Sequence, residues 1–197
     1  FTTLAGVAQP YLARLTPNRH TAQTYLANLS VRTRAGVGAD TLIAGFVATG
    51  GNTSILARGA GPALATFSVP NLLADPQLAL FRGTTANASN DDWGSDAAAS
   101  IAATAKEVGA FPFAAGSRDA ALFSSPLPPG VYTLQLSGKN FTTGIALAEI
   151  YPASPAPIDS QSPRFTNLSV RALAGSGIDA LIAGFSVAGD NTRNILI

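Results

Sequence analysis

The stretch that decides the fold begins at Asn28, where residues 28–54 read NLSVRTRAGVGADTLIAGFVATGGNTS. A second stretch, at residues 167–193, reads NLSVRALAGSGIDALIAGFSVAGDNTR and matches the first at 17 of 27 positions without a gap. Self-similarity of this strength indicates one structural unit that occurs twice. The two stretches start 139 residues apart, so a complete unit covers residues 28–151, and residues 165–197 supply the first third of another.

Two further segments lie outside the repeated unit. Residues 152–164 read PASPAPIDSQSPR, and four prolines among small polar residues are typical of an extended linker. Residues 1–27 form an N-terminal segment whose first three residues, FTT, recur at residues 141–143. Two interpretations of this segment stay open: it is the tail of a preceding repeat, or it is a strand used in assembly.

The pattern within the unit predicts β structure. Apolar runs bounded by Gly, Pro and Asn predict strands at residues 29–34, 41–48, 54–58, 78–82, 120–123, 131–137 and 145–151. The turn residues 50–53 predict a hairpin between the second and third of these strands.

One segment has helical spacing. Residues 97–108 predict a helix, because Ile101, Ala105 and Val108 fall on one face, with Ser95 and Asp96 as the expected caps. Strands otherwise follow one another directly, so neighbours in the chain are expected to pair most often. We therefore predict an all-β fold, an antiparallel β-sandwich or jelly-roll unit with one short helical insertion, plus a partial second repeat.

The composition excludes several classes of function. The chain has no Cys and one His, which removes disulfides, Cys-ligated zinc, thiol nucleophiles and multi-histidine metal centres. Only 12% of residues are charged and the net charge is +1, so the chain lacks the basic surface that nucleic acid requires. We predict no nucleic acid partner.

Hydropathy and composition bear on location. The longest apolar stretch, residues 42–48, is far shorter than the roughly 18 residues that a membrane-spanning helix needs. We therefore predict no membrane span. A Cys-free and Lys-poor chain rich in Gly, Thr and Asn is typical of exported bacterial β proteins, which favours an extracellular or cell-surface location.

The most chemically suggestive segment is residues 87–96, NASNDDWGSD. Its oxygen-bearing side chains are of the type that Ca²⁺ prefers, and the candidate metal ligands are Asn90, Asp91, Asp92 and Asp96. Asx residues also stabilise turns and cap helices, so a purely structural loop is the alternative interpretation. Trp93, the single tryptophan, has two interpretations as well: a lid on the core, or a ligand-binding platform on which a sugar stacks.

No catalytic constellation emerges. His20, the one histidine, lies outside the repeated unit, and no Gly-x-Ser-x-Gly elbow occurs. The two glutamates, Glu107 and Glu149, lie in a helix end and a strand, which does not suggest the paired carboxylates of a glycosidase. We predict no enzyme activity and no cofactor, with Ca²⁺ as the alternative.

Several motifs carry a resemblance to known repeats. The segments NLSVR (residues 28–32), LIAGF (42–46), RGAGPAL (58–64), NDDWG (90–94) and PGVYTLQLSG (129–138) resemble the tandem repeats, about 140 residues long, of large exported bacterial surface proteins. Those repeats have no established activity. A second similarity, to the C-terminal β-sandwich modules of secreted bacterial peptidases, implies an accessory role and Ca²⁺.

Two functional hypotheses follow. The first is a non-catalytic extracellular structural or adhesive module whose partners are copies of itself or adjacent repeats of the same chain. The incomplete second repeat leaves an open sheet edge that a continuing chain or another subunit would cover, and a head-to-tail contact of this kind would propagate as a filament. The alternative is a carbohydrate- or calcium-binding accessory module of a secreted protein.

Overall fold

A computed structural model describes residues 3–4, 7–8, 24–154, 162–189, 192 and 194. Most of the predicted N-terminal segment, including His20, lies outside the described residues, as does the middle of the proline-rich linker. Two short strands at the N-terminus, β1 (Thr3–Leu4) and β2 (Val7–Ala8), pair with each other.

Ten strands form two five-stranded antiparallel sheets. Their bounds are β3 (Tyr25–Ala35), β4 (Leu42–Thr49), β5 (Thr53–Ala60), β6 (Pro76–Arg82), β7 (Thr85–Asn90), β8 (Ala120–Leu127), β9 (Gly130–Gly138), β10 (Gly144–Pro152), β11 (Arg164–Arg171) and β12 (Ile182–Ala188). The first sheet has the order β12-β3-β10-β5-β8 and the second the order β11-β4-β9-β6-β7. The predicted all-β sandwich is confirmed.

The core lies between the two sheets and follows the alternation of the strands. In β3 every second residue from Leu29 to Ala35 is buried, since successive side chains of a strand point to opposite faces. The second sheet contributes Phe46, whose ring stacks on Tyr132 with centroids 5.4 Å apart and lies 4.9 Å from the ring of Phe165. These three aromatic side chains, each at most 6% exposed, form an aromatic cluster within the core.

The predicted helix is confirmed as α1 (Ala98–Glu107), which buries Ile101, Thr104 and Ala105. Its predicted caps are wrong. The N-cap is Ala97 in the left-handed region (φ 50°), with no side-chain capping bond. Ser95 is not free to cap, because its hydroxyl donates to the Asp92 carbonyl at 2.7 Å and closes the preceding turn.

The predicted strand pairing is wrong in two respects. Strands β4 and β5 do not form a hairpin: the turn at Gly50 and Gly51 carries the chain from one sheet to the other. Both edges of β4 already bind β11 and β9, while β5 lies between β10 and β8. Consecutive pairing is also the exception within the two sheets, since only β6 and β7 are neighbours in both chain and sheet.

The two copies of the repeat pair with each other reciprocally. The first strand of the first copy, β3, binds β12, which is the second strand of the second copy; β4 in turn binds β11. The registers are the same, because Arg32 lies opposite Ile182 as Arg171 lies opposite Ile43. The partial second repeat therefore extends both sheets of the first unit.

Glycine faces serine at the centre of both pairings. Gly45 lies opposite Ser169, and Gly184 opposite Ser30. A Cβ at Gly45 would collide with the Ser169 hydroxyl, and one at Gly184 would lie 3.1 Å from the Ser30 hydroxyl. In both pairings the serine side chain lies close to the facing strand, which explains why each copy of the repeat carries both the Gly and the Ser.

Side chains add to the backbone pairing at one end of β3. The Thr33 hydroxyl donates to the Leu173 carbonyl at 2.7 Å. Arg34 forms an ion pair with Asp179 at 2.9 Å, and both side chains are about a third exposed. Such a partly exposed pair contributes about 0.2–1 kcal/mol, so burial and strand pairing dominate the attachment.

The first prediction concerns the role of the second repeat in the core. Phe165→Ala should lower the free energy of unfolding by about 3–5 kcal/mol, because it leaves a cavity beside Phe46. Phe185→Ala is the matched control, since Phe185 is 40% exposed and should cost less than about 1.5 kcal/mol. Urea denaturation of both variants measures the difference. Equal and small losses would mean that the second repeat is not integral to the fold.

Candidate functional site

A cover lies over the face of the first sheet that points away from the core. It consists of α1 and residues 108–119, and it packs on side chains from three strands. The contacting cluster comprises Leu56, Ile101, Ala105, Ala110, Ala121 and Tyr151. A cavity of about 480 Å³ opens beside this cluster, with mostly apolar walls from Trp93, α1 and Phe113.

Arg58 lies at the floor of this cavity and is only 1% exposed. Its guanidinium lies against two rings that meet edge to face, with Cζ 4.4 Å from the centroid of Phe111 and 4.0 Å from that of Phe113. One terminal nitrogen, Nη2, donates to the Phe111 carbonyl at 2.7 Å. Arg58 therefore fastens the cover to the sheet by stacking and by a charge-assisted hydrogen bond.

Glu149 supplies the opposite charge. Its Oε2 lies 3.3 Å from Arg58 Nη1, and its Oε1 accepts a hydrogen bond from the Tyr151 hydroxyl at 2.9 Å. Burial raises the pKa of Glu149, and the Arg58 charge and the Tyr151 hydrogen bond offset part of that rise. Burial likewise raises the pKa of Tyr151, with the neighbouring Glu149 charge acting in the same direction. Neither Glu149 nor Arg58 was selected from the sequence as a site residue.

Asp119 ties the cover to the turn after β5 and is fully buried. Its Oδ1 accepts from the amides of Gly61 and Ala63 at 2.8 and 3.1 Å, and its Oδ2 accepts from the Ser117 hydroxyl at 2.7 Å. Its backbone carbonyl accepts from the Trp93 amide at 2.8 Å. This buried carboxylate is satisfied by these hydrogen bonds and holds the loops together, and it also interacts electrostatically with the nearby Arg58.

Trp93 forms one wall of the cavity. Its indole Nε1 donates to the Ala114 carbonyl at 3.1 Å and to the Ser117 hydroxyl at 3.2 Å. Its ring meets Phe113 edge to face, with centroids 6.3 Å apart. Trp93 packs against the covered cluster on the outer face of the first sheet and not against the core between the sheets, and it lines the cavity.

The four candidate metal ligands are not gathered at one point. Asn90 is buried at the end of β7, where Oδ1 accepts from the Ala121 amide and Nδ2 donates to the Asp92 carbonyl and the Ser95 hydroxyl. Asp91 pairs with Lys139, whose hydrogen bond lowers the pKa of the Asp91 carboxyl. Asp96 is exposed. Within the described residues no group of three or more Asp, Glu or His side chains is placed to hold a metal ion.

The second candidate site is the pair of sheet edges formed by the second repeat. Among the described strands, nothing pairs with the outer edge of β12 or of β11. Large apolar side chains are exposed in this region: Leu173, Ile182, Phe185 and Val187. An open edge with apolar side chains is a template for further strand pairing.

Comparison with known proteins adds no evidence on function, so the function is argued from the geometry described above. No family model matches the chain, and no match was found among curated proteins or among solved structures. No helix of the described residues is long and apolar enough to cross a membrane.

The second prediction tests the buried ion pair. Arg58→Met should cost about 3–5 kcal/mol at neutral pH, because it leaves the Glu149 carboxylate buried without its cation. Without Arg58 the pKa of Glu149 in the folded chain rises further above its unfolded value, so the folded state binds the proton more tightly. The loss should therefore shrink as pH falls, which urea denaturation between about pH 7 and pH 4 measures.

The matched control is the double variant Arg58→Met with Glu149→Leu. Replacing both partners by apolar side chains removes the unpaired charge and should restore most of the lost stability. A double variant as unstable as Arg58→Met alone would show that the guanidinium acts through stacking and its bond to Phe111, and not through Glu149.

Proposed function

We propose that this chain is a non-catalytic extracellular structural or adhesive module that acts joined to further copies of its repeat unit, in a tandem array or in a surface layer or filament. The observation that carries the proposal is the reciprocal pairing of the two copies, in which the first two strands of one copy complete the sheets of the other. The repeat thus contains its own joining surface.

The chemistry of the joint supports this role. Strand pairing uses main-chain hydrogen bonds, so it needs no ligand and no reactive side chain. The repeat copies share Gly opposite Ser, which preserves close contact at each joint. The similarity of the sequence motifs to exported surface repeats supports an extracellular or cell-surface location, as does the Cys-free, Lys-poor composition.

The third prediction tests self-association. At high protein concentration the chain should form oligomers in sedimentation velocity, because the edges of β11 and β12 are open. Replacing Phe185 and Val187 together by Lys should abolish the oligomers, since lysine on an edge strand opposes pairing.

The matched control changes the same number of exposed apolar residues elsewhere. Val131→Lys with Phe141→Lys removes side chains that are 62% and 85% exposed and lie away from both edges. This control should assemble like the parent chain. A parent chain that remains monomeric at every concentration would count against assembly between chains.

A second candidate function is a carbohydrate- or calcium-binding accessory module. The observation that favours it is the cavity of about 480 Å³ whose lining includes the aromatic side chains Trp93 and Phe113. Lys106 and Arg58 are the charged residues among those that line it.

The fourth prediction uses the single tryptophan as a site-specific probe. If the module binds carbohydrate, binding of an oligosaccharide from a glycan array should change Trp93 fluorescence, and Trp93→Ala should lose that binding.

If the module binds calcium, Ca²⁺ should raise the melting temperature of the chain, and Asp91→Ala with Asp92→Ala should remove that shift. No response of the parent chain to glycans or to Ca²⁺ would leave the structural role alone.

A further inference from the structure

The first unit indicates which strands would fit the open edges of β11 and β12. Each strand of the second copy corresponds to a strand of the first, at the same offset of 139 residues between Asn28 and Asn167. Strand β12 is the counterpart of β4, and β11 is the counterpart of β3. One edge of each is already used in the reciprocal pairing.

The first unit shows what the other edge of each strand binds. The second edge of β4 pairs with β9, with Leu42 opposite Leu136 and Ala48 opposite Gly130. The second edge of β3 pairs with β10, with Ala35 opposite Gly144. If the second copy pairs as the first does, the free edge of β12 fits a strand that corresponds to β9, which we call a β9-type strand. The free edge of β11 likewise fits a strand that corresponds to β10, a β10-type strand.

The side chains on these edges agree with the correspondence. Phe185 is the counterpart of Phe46, yet it is 40% exposed where Phe46 is 2% exposed. Phe46 is covered by the ring of Tyr132 from β9, stacked at 5.4 Å. The exposure of Phe185 is therefore that of a core residue whose covering aromatic strand is absent from the described chain.

We propose that the occupant of both edges is the remainder of a second repeat unit, a polypeptide with the sequence pattern of residues 55–152. Its β9-type strand pairs with β12 and brings an aromatic side chain onto Phe185, and its β10-type strand pairs with β11. The proposal rests on the proposed structural function and names the partner of its joining surface.

The pairing also determines how many units one joint holds. Because β3 binds the counterpart of β4 and β4 binds the counterpart of β3, the two units are related by an approximate two-fold axis. A two-fold contact uses the same surface on both members and closes on itself. Each unit has one such surface, so the joint unites two units and no more, and both sheets run on through the pair. A longer array is then a string of two-unit bodies, in contrast to the expected head-to-tail filament.

The experiment extends the whole chain. Residues 55–152 replace residues 195–197, because Ile195-Leu196 aligns with Ile55-Leu56 after one inserted residue in the second copy. Hydrogen exchange by mass spectrometry then compares β12 in the parent and in the extended chain. The β12 amides that point away from β3 should exchange at least about 100-fold more slowly in the extended chain, which should sediment as a monomer.

Matched variants on β12 make the test specific. In the extended chain Phe185→Asp should remove the added protection, while Ile182→Asp, on the opposite face of the same strand, should keep it. Both residues are at least 40% exposed in the parent chain, where both variants should fold, and Phe185→Ser serves as a milder substitute.

Two results would overturn the inference. The first is an appended unit that is itself protected while β12 exchanges as fast as in the parent chain. That result refutes continuous sheets but leaves a bead-like structural array intact. The second is an extended chain that still forms oligomers and shows protection of β12 only in those oligomers, which would assign the edges to a second copy of the chain.

Discussion

The antiparallel pairing of β3 with β12, repeated in the pairing of β4 with β11, is the constraint on which the rest of the structure depends. Each pairing occupies one edge of a strand in the first unit, and the other edges of β3 and β4 bind β10 and β9. The pairing thus adds one strand of the second copy to each sheet. It also brings Phe165 of the second copy into the core of the first, so the described residues of both copies share one hydrophobic interior.

The buried charges follow from a second constraint, which is that the first sheet is covered on both faces. One face packs on the other sheet and the other lies beneath α1 and the loop after it. Strand residues under such a cover lose their water, so a charged side chain there must find a partner within the protein. Arg58 and Glu149 balance each other's charge across neighbouring strands, and their hydrogen bonds go to the Phe111 carbonyl and the Tyr151 hydroxyl. Two phenylalanine rings of the loop lie against the guanidinium.

The sequence allowed the fold class, the helix and most strands to be predicted, because each depends on local spacing and on turn residues. Sheet order could not be predicted, since the Gly50–Gly51 turn suits a hairpin and a crossing between sheets equally well. Strand β7 was also missed, because its polar sequence TANASN lacks apolar alternation and is held by pairing with β6. The Arg58 and Glu149 pair had a weak signal, one charge of each sign within two otherwise apolar strands, but their contact depends on the register of β5 with β10.

The reciprocal pairing joins segments of one chain, since β10 ends at Pro152 and β11 begins at Arg164. Pairing within one chain avoids the loss of translational and rotational freedom that association of two chains requires. A contact between chains would have to use the edges that remain. Strand β3 binds β12, the counterpart of β4, and β4 binds β11, the counterpart of β3. Because each strand of the first copy binds the counterpart of the other, the repeat specifies one arrangement of the two copies.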